Sequence, residues 1–174
     1  MKVNIAITAK ANILAAINAA NAATSTNITE AQVTWELPVV SAGIAGRNTS
    51  VTLFGIDGQG IEGGRTFSYT RQPLSGGAIA TTAPAFVPIL EADTRPQVLA
   101  KVITALGLLA SEIEDISYTA PVDLATPGTM QIAAIANSYL YYDLKDVEIR
   151  LADLDVPFAE IAPIVDLDAF EAEE

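Results

Sequence analysis

The chain has no cysteine and no histidine among its 174 residues. Disulfides, thiolate nucleophiles and most zinc sites are thereby excluded. So is the side chain most often used as a general base. The absence of thiols also removes an oxidation hazard, which suits a protein that must survive outside a cell. Bases are scarce: 9 lysines and arginines stand against 21 acids, a formal net charge of −12. Phosphate contacts need a basic face, so no direct nucleic-acid partner is expected. Long apolar runs are missing too. The best, VITALGLLA at 102–110, has nine residues, short of the roughly 18–20 that a membrane-spanning helix requires. No membrane partner is expected.

What remains for catalysis is thin. The lysines are Lys2, Lys10, Lys101 and Lys145, and none lies in a serine-nucleophile motif. Asp153, Asp155, Asp166 and Asp168 could bind divalent cations or simply form a solvated face. Acid pairs of the glycosidase kind are defined in space, and sequence does not reveal them. The expectation is a non-enzymatic protein without a cofactor. Two N-x-[ST] sequons, at Asn27 and Asn48, matter only in a eukaryotic secretory pathway, to which nothing points. The opening MKVNIAITAKANILAAINAANA imitates a signal peptide, but Lys10 and three asparagines interrupt its apolar region, so cleavage is not expected.

Apolar residues nevertheless make up 51% of the chain, and mean hydropathy is +0.36. Much of this is alanine, and the surplus points to buried subunit contacts. The length allows one domain with a substantial core. The reading is a single α+β domain over 1–151 and an acidic arm over 152–174.

Residues 8–23 predict a helix. Ile13, Ile17 and Ala20 share a face that Leu14 widens, Asn12, Asn18 and Asn21 point away, and Thr8 caps the start. AQVTWELPVV (31–40) predicts a strand with Val33, Trp35 and Leu37 on one side, stopped or edged by Pro38. Residues 72–92, with Gly-Gly and three prolines, read as a long loop or extended crossover. A second helix is predicted over 95–110. Thr94 caps it, Pro96 sits in its first turn, and Leu99, Val102, Ile103, Leu106, Leu109 and Ile113 form one stripe. Glu112, Glu114 and Asp115 oppose a helix C-terminus, so either the helix ends earlier or they meet a neighbour. TMQIAAIANSYLYYD (129–143) and KDVEIRLA (145–152) predict two long strands, the second with Val147, Ile149 and Leu151 inward. Tyr139, Tyr141 and Tyr142 make an aromatic cluster that serves as a sheet face or an interface, or else as a platform for sugar rings.

Between NTSVTLFGI and RTFSYTR lies IDGQGIEGG, which contains G-x-G-x-x-G at Gly58, Gly60 and Gly63. Both flanks alternate with period two and so predict strands. A dinucleotide fingerprint needs a helix after the glycines and an acid about 20 residues on, and neither is present. The glycines therefore supply positive φ in a hairpin connection. Asp57 and Glu62 in this loop could hold calcium, although two carboxylates are not a full oxygen cage.

After Arg150 there is no base, and 151–174 hold eight acids. Val156, Phe158, Ile161, Ile164, Val165, Leu167 and Phe170 are interspersed with them, unlike a purely solvating tail. Pro157 and Pro163 disfavour one continuous helix. Such a segment reads as an arm lying in a groove, its own or a neighbour's.

The series AKANILAAINAAN, ITEAQVTWELPVV, GRNTSVTLFGI, glycine turn, FSYTRQPL resembles small virion structural proteins of large (jumbo) tailed bacteriophages. In that pattern a helix with I-N-x-x-N precedes a strand, and a G-R-N-T strand pairs across a glycine turn with a Y-x-R-x-x-L strand. The matching positions are Ile17, Asn18, Asn21, Gly46, Arg47, Asn48, Thr49, Tyr69, Arg71 and Leu74. The likeness spans most of 5–151, and the acidic arm looks particular to this chain. It implies a subunit of the tail, neck or capsid exterior, with itself and other virion proteins as partners, residing in the virion after assembly in the host cytoplasm. Arg47 and Arg71 bracket the hairpin and would order nearby loops or meet acids of the arm. With Tyr139, Tyr141, Tyr142, Phe158, Ile161, Ile164 and Phe170 they are the candidate interface residues. The alternative is a glycan-binding β-domain using Trp35 or the tyrosines. A calcium-stabilised secreted domain is a third reading, in which a chelator lowers the melting temperature.

Overall fold

The computed structural model describes residues 3–24, 27–41, 44 and 46–153. It is a mixed α+β fold, as the sequence predicts, whose described residues form two four-stranded, largely antiparallel sheets and one two-stranded parallel pair.

Helix α1 (Ala9–Ala20) is alanine-rich, and the Thr8 hydroxyl accepts the Ala11 N–H at 3.1 Å to cap it. It buries Ile13, Leu14 and Ile17 as expected, while Ala20 is exposed. Asn12 corrects the prediction: it is 4% exposed, not solvent-facing. Its Nδ2 donates to the Asn4 carbonyl (2.9 Å) and its Oδ1 accepts the Asn4 N–H (2.7 Å). The segment before the helix supplies the partners that a buried amide needs.

The first sheet is built on β3 (Thr49–Gly55), which pairs along one edge with β4 (Gly64–Tyr69), antiparallel from Thr49↔Tyr69 to Phe54↔Gly64. The glycine loop is thus a hairpin connection, and Gly58, Gly60 and Gly63 have φ of +77°, +83° and +73°. The other edge of β3 takes β1 (Val33–Trp35) and β2 (Val39–Val40). The strand predicted over 31–40 is broken at Leu37-Pro38. Trp35 faces Leu53 but Val39 faces Ser50, so three residues span what two span on β3. Pro38 has no N–H to give the ladder, and the extra residue makes a bulge there.

Residues 72–92 are more structured than a loop. They contain β5 (Gln72–Pro73), α2 (Gly77–Thr82) and β6 (Val87–Ile89). Helix α3 (Arg95–Leu106) opens with Pro96 and a Thr94 N–H donated to Gln97 Oε1 at 2.8 Å. Gly107, at φ +63°, closes it short of the predicted 110. Its buried face is Val98, Val102, Ile103 and Leu106. Leu99 and Leu109 are only half-buried, and Ile113 belongs to the next strand.

That strand, β7 (Ile113–Thr119), was not anticipated; it follows the acids that end the helix. The second sheet has the order β6, β10, β8, β7, with β8 over Gly128–Ala134 and β10 over Leu144–Leu151. Within this sheet the β6–β10 pair is parallel and the others are antiparallel. Val147 and Ile149 face inward, as predicted. The run 129–143 is not one strand: β8 stops at Ala134, a turn follows with Asn137 at φ +64°, and β9 (Tyr141–Tyr142) pairs in parallel with β5. One cluster of buried side chains joins both sheets and all three helices, from Ile13 and Val51 to Ile79, Val102, Met130 and Ile149.

Candidate functional site

Arg47 and Arg71 flank the open end of the hairpin, but they face different ways. The Asn48 side chain takes both backbone groups of Arg71: its Nδ2 donates to the carbonyl at 3.0 Å, and its Oδ1 accepts the N–H at 2.8 Å. Strand-like pairing thereby continues past Tyr69. The Arg71 guanidinium turns inward. Its Nε donates to Thr49 Oγ1 (2.8 Å), its NH1 to the Ser138 carbonyl (3.0 Å), and it lies 6.0 Å from the centre of the Tyr142 ring. Arg71 therefore orders the loops around it, one of the two roles expected of it. Arg47 is exposed and lines a groove between α1 and β4.

The turn that Arg71 reaches is fastened from below by Glu112. This carboxylate is 5% exposed and accepts the Ser138 hydroxyl (2.6 Å), the Tyr139 N–H (2.6 Å) and the Leu140 N–H (3.2 Å). Asp115 meets Arg95 through two bonds of 2.5 and 3.0 Å. The helix thus ends before these acids, and two of them, Glu112 and Asp115, also meet neighbours.

The tyrosines do not form a cluster. Tyr141 is 1% exposed, and its hydroxyl accepts the Leu109 N–H at 3.2 Å. Tyr139 stands edge-on to Trp35 at 5.7 Å and donates to the Glu36 carbonyl at 3.1 Å, with the Lys10 ammonium 5.6 and 5.8 Å from the two ring centres. Tyr142, in the next position, is 37% exposed. Successive strand residues point to opposite faces, so Tyr141 and Tyr142 cannot share a surface, and a three-tyrosine sugar platform has no counterpart here. Burial raises the pKa of Tyr139 and Tyr141, and the Glu112 charge adds to both. Tyr69 is raised furthest, by burial, against the opposing pull of Arg71. Its hydroxyl and Trp35 Nε1 are buried without a hydrogen-bond partner among the described residues.

Directly opposed residues of paired strands lie on one face. Val33, Trp35, Val51, Leu53, Phe67 and Tyr69 therefore share the face that helps build the core with α1. The helix leaves part of this face open. A cavity of about 190 Å³ is lined by Ile13, Ile17, Ala20, Arg47, Phe67 and Tyr69. A second, of about 400 Å³, is lined by Ile28, Leu53, Ile61, Glu62, Arg65 and Phe67 among others. Phe67 and Asn21 belong to both, so the two form one groove along β4. At the opposite edge of the sheet, Val39 and Val40 are 62% and 77% exposed, and Leu37 and Ile44 are exposed beside them. Sequence reasoning missed Arg65 and Phe67, which were legible only as hairpin residues; Glu112 was read as an acid that meets a neighbour, but its burial carries no periodic signal.

Asp57 and Glu62 are both exposed in the hairpin connection. Among the described residues no three acids gather to hold a metal, and no helix is long and apolar enough to cross a membrane. Phe158, Ile161, Ile164 and Phe170 lie outside the described residues, as do Asp155, Asp166 and Asp168. Neither the curated proteins nor the solved structures contain a match to this chain. A family model matches residues 2–171, so it includes the acidic segment that looked particular to this chain. The chain belongs to that family, DUF7941, a family of unknown function.

Proposed function

We propose that the chain is a non-enzymatic structural subunit of a tailed-bacteriophage virion, in the tail, neck or capsid exterior. It self-assembles through sheet edges and its acidic C-terminal arm, and it meets other virion proteins in the particle. The observation that carries the reading is the edge strand β2. Natural sheets blunt their edges with charge, cover or closure. Here Val39 and Val40 are 62% and 77% exposed at the end of a sheet, with Leu37 and Ile44 beside them. An edge of that kind suits lateral addition of another chain, in which main-chain hydrogen bonds supply affinity and side chains supply register. The resemblance of the GRNT and YTRQPL strands points to the virion in particular. The net charge of −12 keeps unassembled subunits apart and soluble.

Light scattering of the purified chain over a concentration series, with mass spectrometry of purified particles, tests the proposal. Oligomers that weaken when Val39 and Val40 are both replaced by lysine, and peptides of the chain in the particle, are expected. A chain that stays monomeric at high concentration and is missing from particles would sink the reading.

A further inference from the structure

We infer that the groove between α1 and β4 receives residues 161–170 of a second copy's acidic arm, added as an extended strand beside β4. This deepens the assembly reading above and rests on it.

Three observations converge on the groove. Among the described residues β4 pairs with β3 alone, so the backbone groups on its other side can take a further strand. The wall beside that edge is apolar, with Ile13, Ile17 and Phe67 at one end and Ile28, Ile61 and Phe67 at the other. Arg47 and Arg65 line its two ends. Both are exposed, and neither is in an ion pair with another described residue, whereas Arg95, Lys101 and Arg150 are each engaged by a carboxylate. The Arg65 guanidinium lies 5.8 Å from the centre of the Phe67 ring. Glu62 is the one acid in the lining.

The arm has the complementary order. Ile161-Ala-Pro-Ile-Val-Asp-Leu-Asp-Ala-Phe170 is mostly apolar, and it is flanked by Glu160 on one side and by Glu171, Glu173 and Glu174 on the other. Charge stands outside and apolar residues inside, as in the groove. From Ile164 onward no proline interrupts the sequence. In an extended segment Val165, Leu167 and Ala169 share one side, and Ile164, Asp166, Asp168 and Phe170 the other. The first set matches an apolar wall, and the second, two aspartates between two apolar residues, falls on the outer face that carries Thr66, Ser68 and the exposed Phe54. The seven residues from 164 to 170 span about 23 Å when extended, enough to cover the six of β4. The arm leaves from β10, in the other sheet. On the assembly reading the donor is a neighbouring copy, which gives a head-to-tail contact that can propagate.

The test uses full-length chains followed by light scattering, with circular dichroism and melting temperature as folding controls. Arg47→Glu with Arg65→Glu should weaken self-association by about tenfold or more while leaving the fold intact. Adding Glu160→Arg and Glu171→Arg to that chain should restore most of the loss, which a merely unfolded variant could not do. Leu167→Asp alone should weaken association as well. If the chain oligomerises and neither the arginine pair nor Leu167→Asp changes it, the groove inference is overturned while the assembly reading stands. If the chain is monomeric but the arginine reversal lowers its melting temperature, the arm folds onto its own groove and the second-copy inference is overturned. If it is monomeric and insensitive to both, the inference and self-assembly fall together.

Discussion

The Ser138 hydroxyl donates to the Glu112 carboxylate at 2.6 Å across 26 residues, and both side chains are buried. The same carboxylate oxygen also accepts the N–H groups of Tyr139 and Leu140. A charge in this position is retained only because donors surround it. Glu112→Ala strands those donors, each at the cost of an unmade buried hydrogen bond. The expected loss is about 3 kcal/mol, or roughly 6–12 °C in the melting temperature at this chain length. Glu112→Gln keeps one acceptor oxygen and should fall between the two. An alanine variant melting within a degree or two of the parent would show that water replaces the carboxylate.

How much of this was legible in the sequence depends on what each residue packs against. The β3–β4 hairpin was readable because period-two flanks and positive-φ glycines are local signals. Helix α3 was readable from its stripe and cap, although the run of leucines past Gly107 extended it beyond its true end. Strand β7 was hidden because its opening acids, Glu114 and Asp115, read as helix-end charges rather than as strand residues. Asn12 was misread, and the partners of Glu112 were not identified, for a related reason. A polar side chain is buried when distant backbone supplies its partners, and no local pattern records where that backbone runs. The tyrosines looked like a cluster by proximity alone, but the turn at Asn137 and the alternation of β9 send them to three places.

Tyr69 carries a buried hydroxyl with no hydrogen-bond partner among the described residues. Removing an unsatisfied polar group from an apolar setting costs nothing and can help. Tyr69→Phe should therefore be neutral or stabilising by about 1 kcal/mol. Burial also raises its pKa above the ordinary 10.0, so the folded state holds the phenolic proton more tightly than the unfolded chain does. That stability is fully present below pH 10 and is lost as pH rises above it. The parent should lose melting temperature on alkaline titration, and Tyr69→Phe should lose less of it. Tyr139 and Tyr141, also raised, keep part of the effect. Identical alkaline profiles for parent and variant would refute the assignment to Tyr69.

Two glycines of the hairpin separate close packing from mere flexibility. A Cβ on Gly55 would run into the Ile61 carbonyl and the Glu62 backbone nitrogen across the connection. Backbone cannot step aside without opening the loop, which the Gly55 N–H closes by donating to the Gly63 carbonyl at 2.8 Å. A Cβ on Gly64 meets only the Phe54 ring, which is 43% exposed and able to swing away. Gly55→Ala should cost about 1–3 kcal/mol, and Gly64→Ala markedly less. Chemical denaturation of the two variants side by side decides it. Equal costs would mean that the connection relaxes as easily as an exposed ring.

Arg71 ties the first sheet to the turn that Glu112 holds, and Thr49 is its anchor. Thr49 is fully buried, and its hydroxyl accepts Arg71 Nε at 2.8 Å while donating to Asn48 Oδ1 at 3.0 Å. Thr49→Val fills the same space without the oxygen, which leaves a charged donor and an amide oxygen each short of a partner. The expected cost is about 1–3 kcal/mol. Arg71→Met also loses the bond to the Ser138 carbonyl and should cost at least as much. The two effects should not add. Once arginine is gone, the Thr49 hydroxyl has lost its principal donor, so the double variant should be less destabilised than the sum by about 1 kcal/mol. Denaturation midpoints of the four chains measure that coupling. A coupling near zero would mean that Arg71 is held by its backbone pairing with Asn48 and that its guanidinium contributes nothing to joining the two halves of the core.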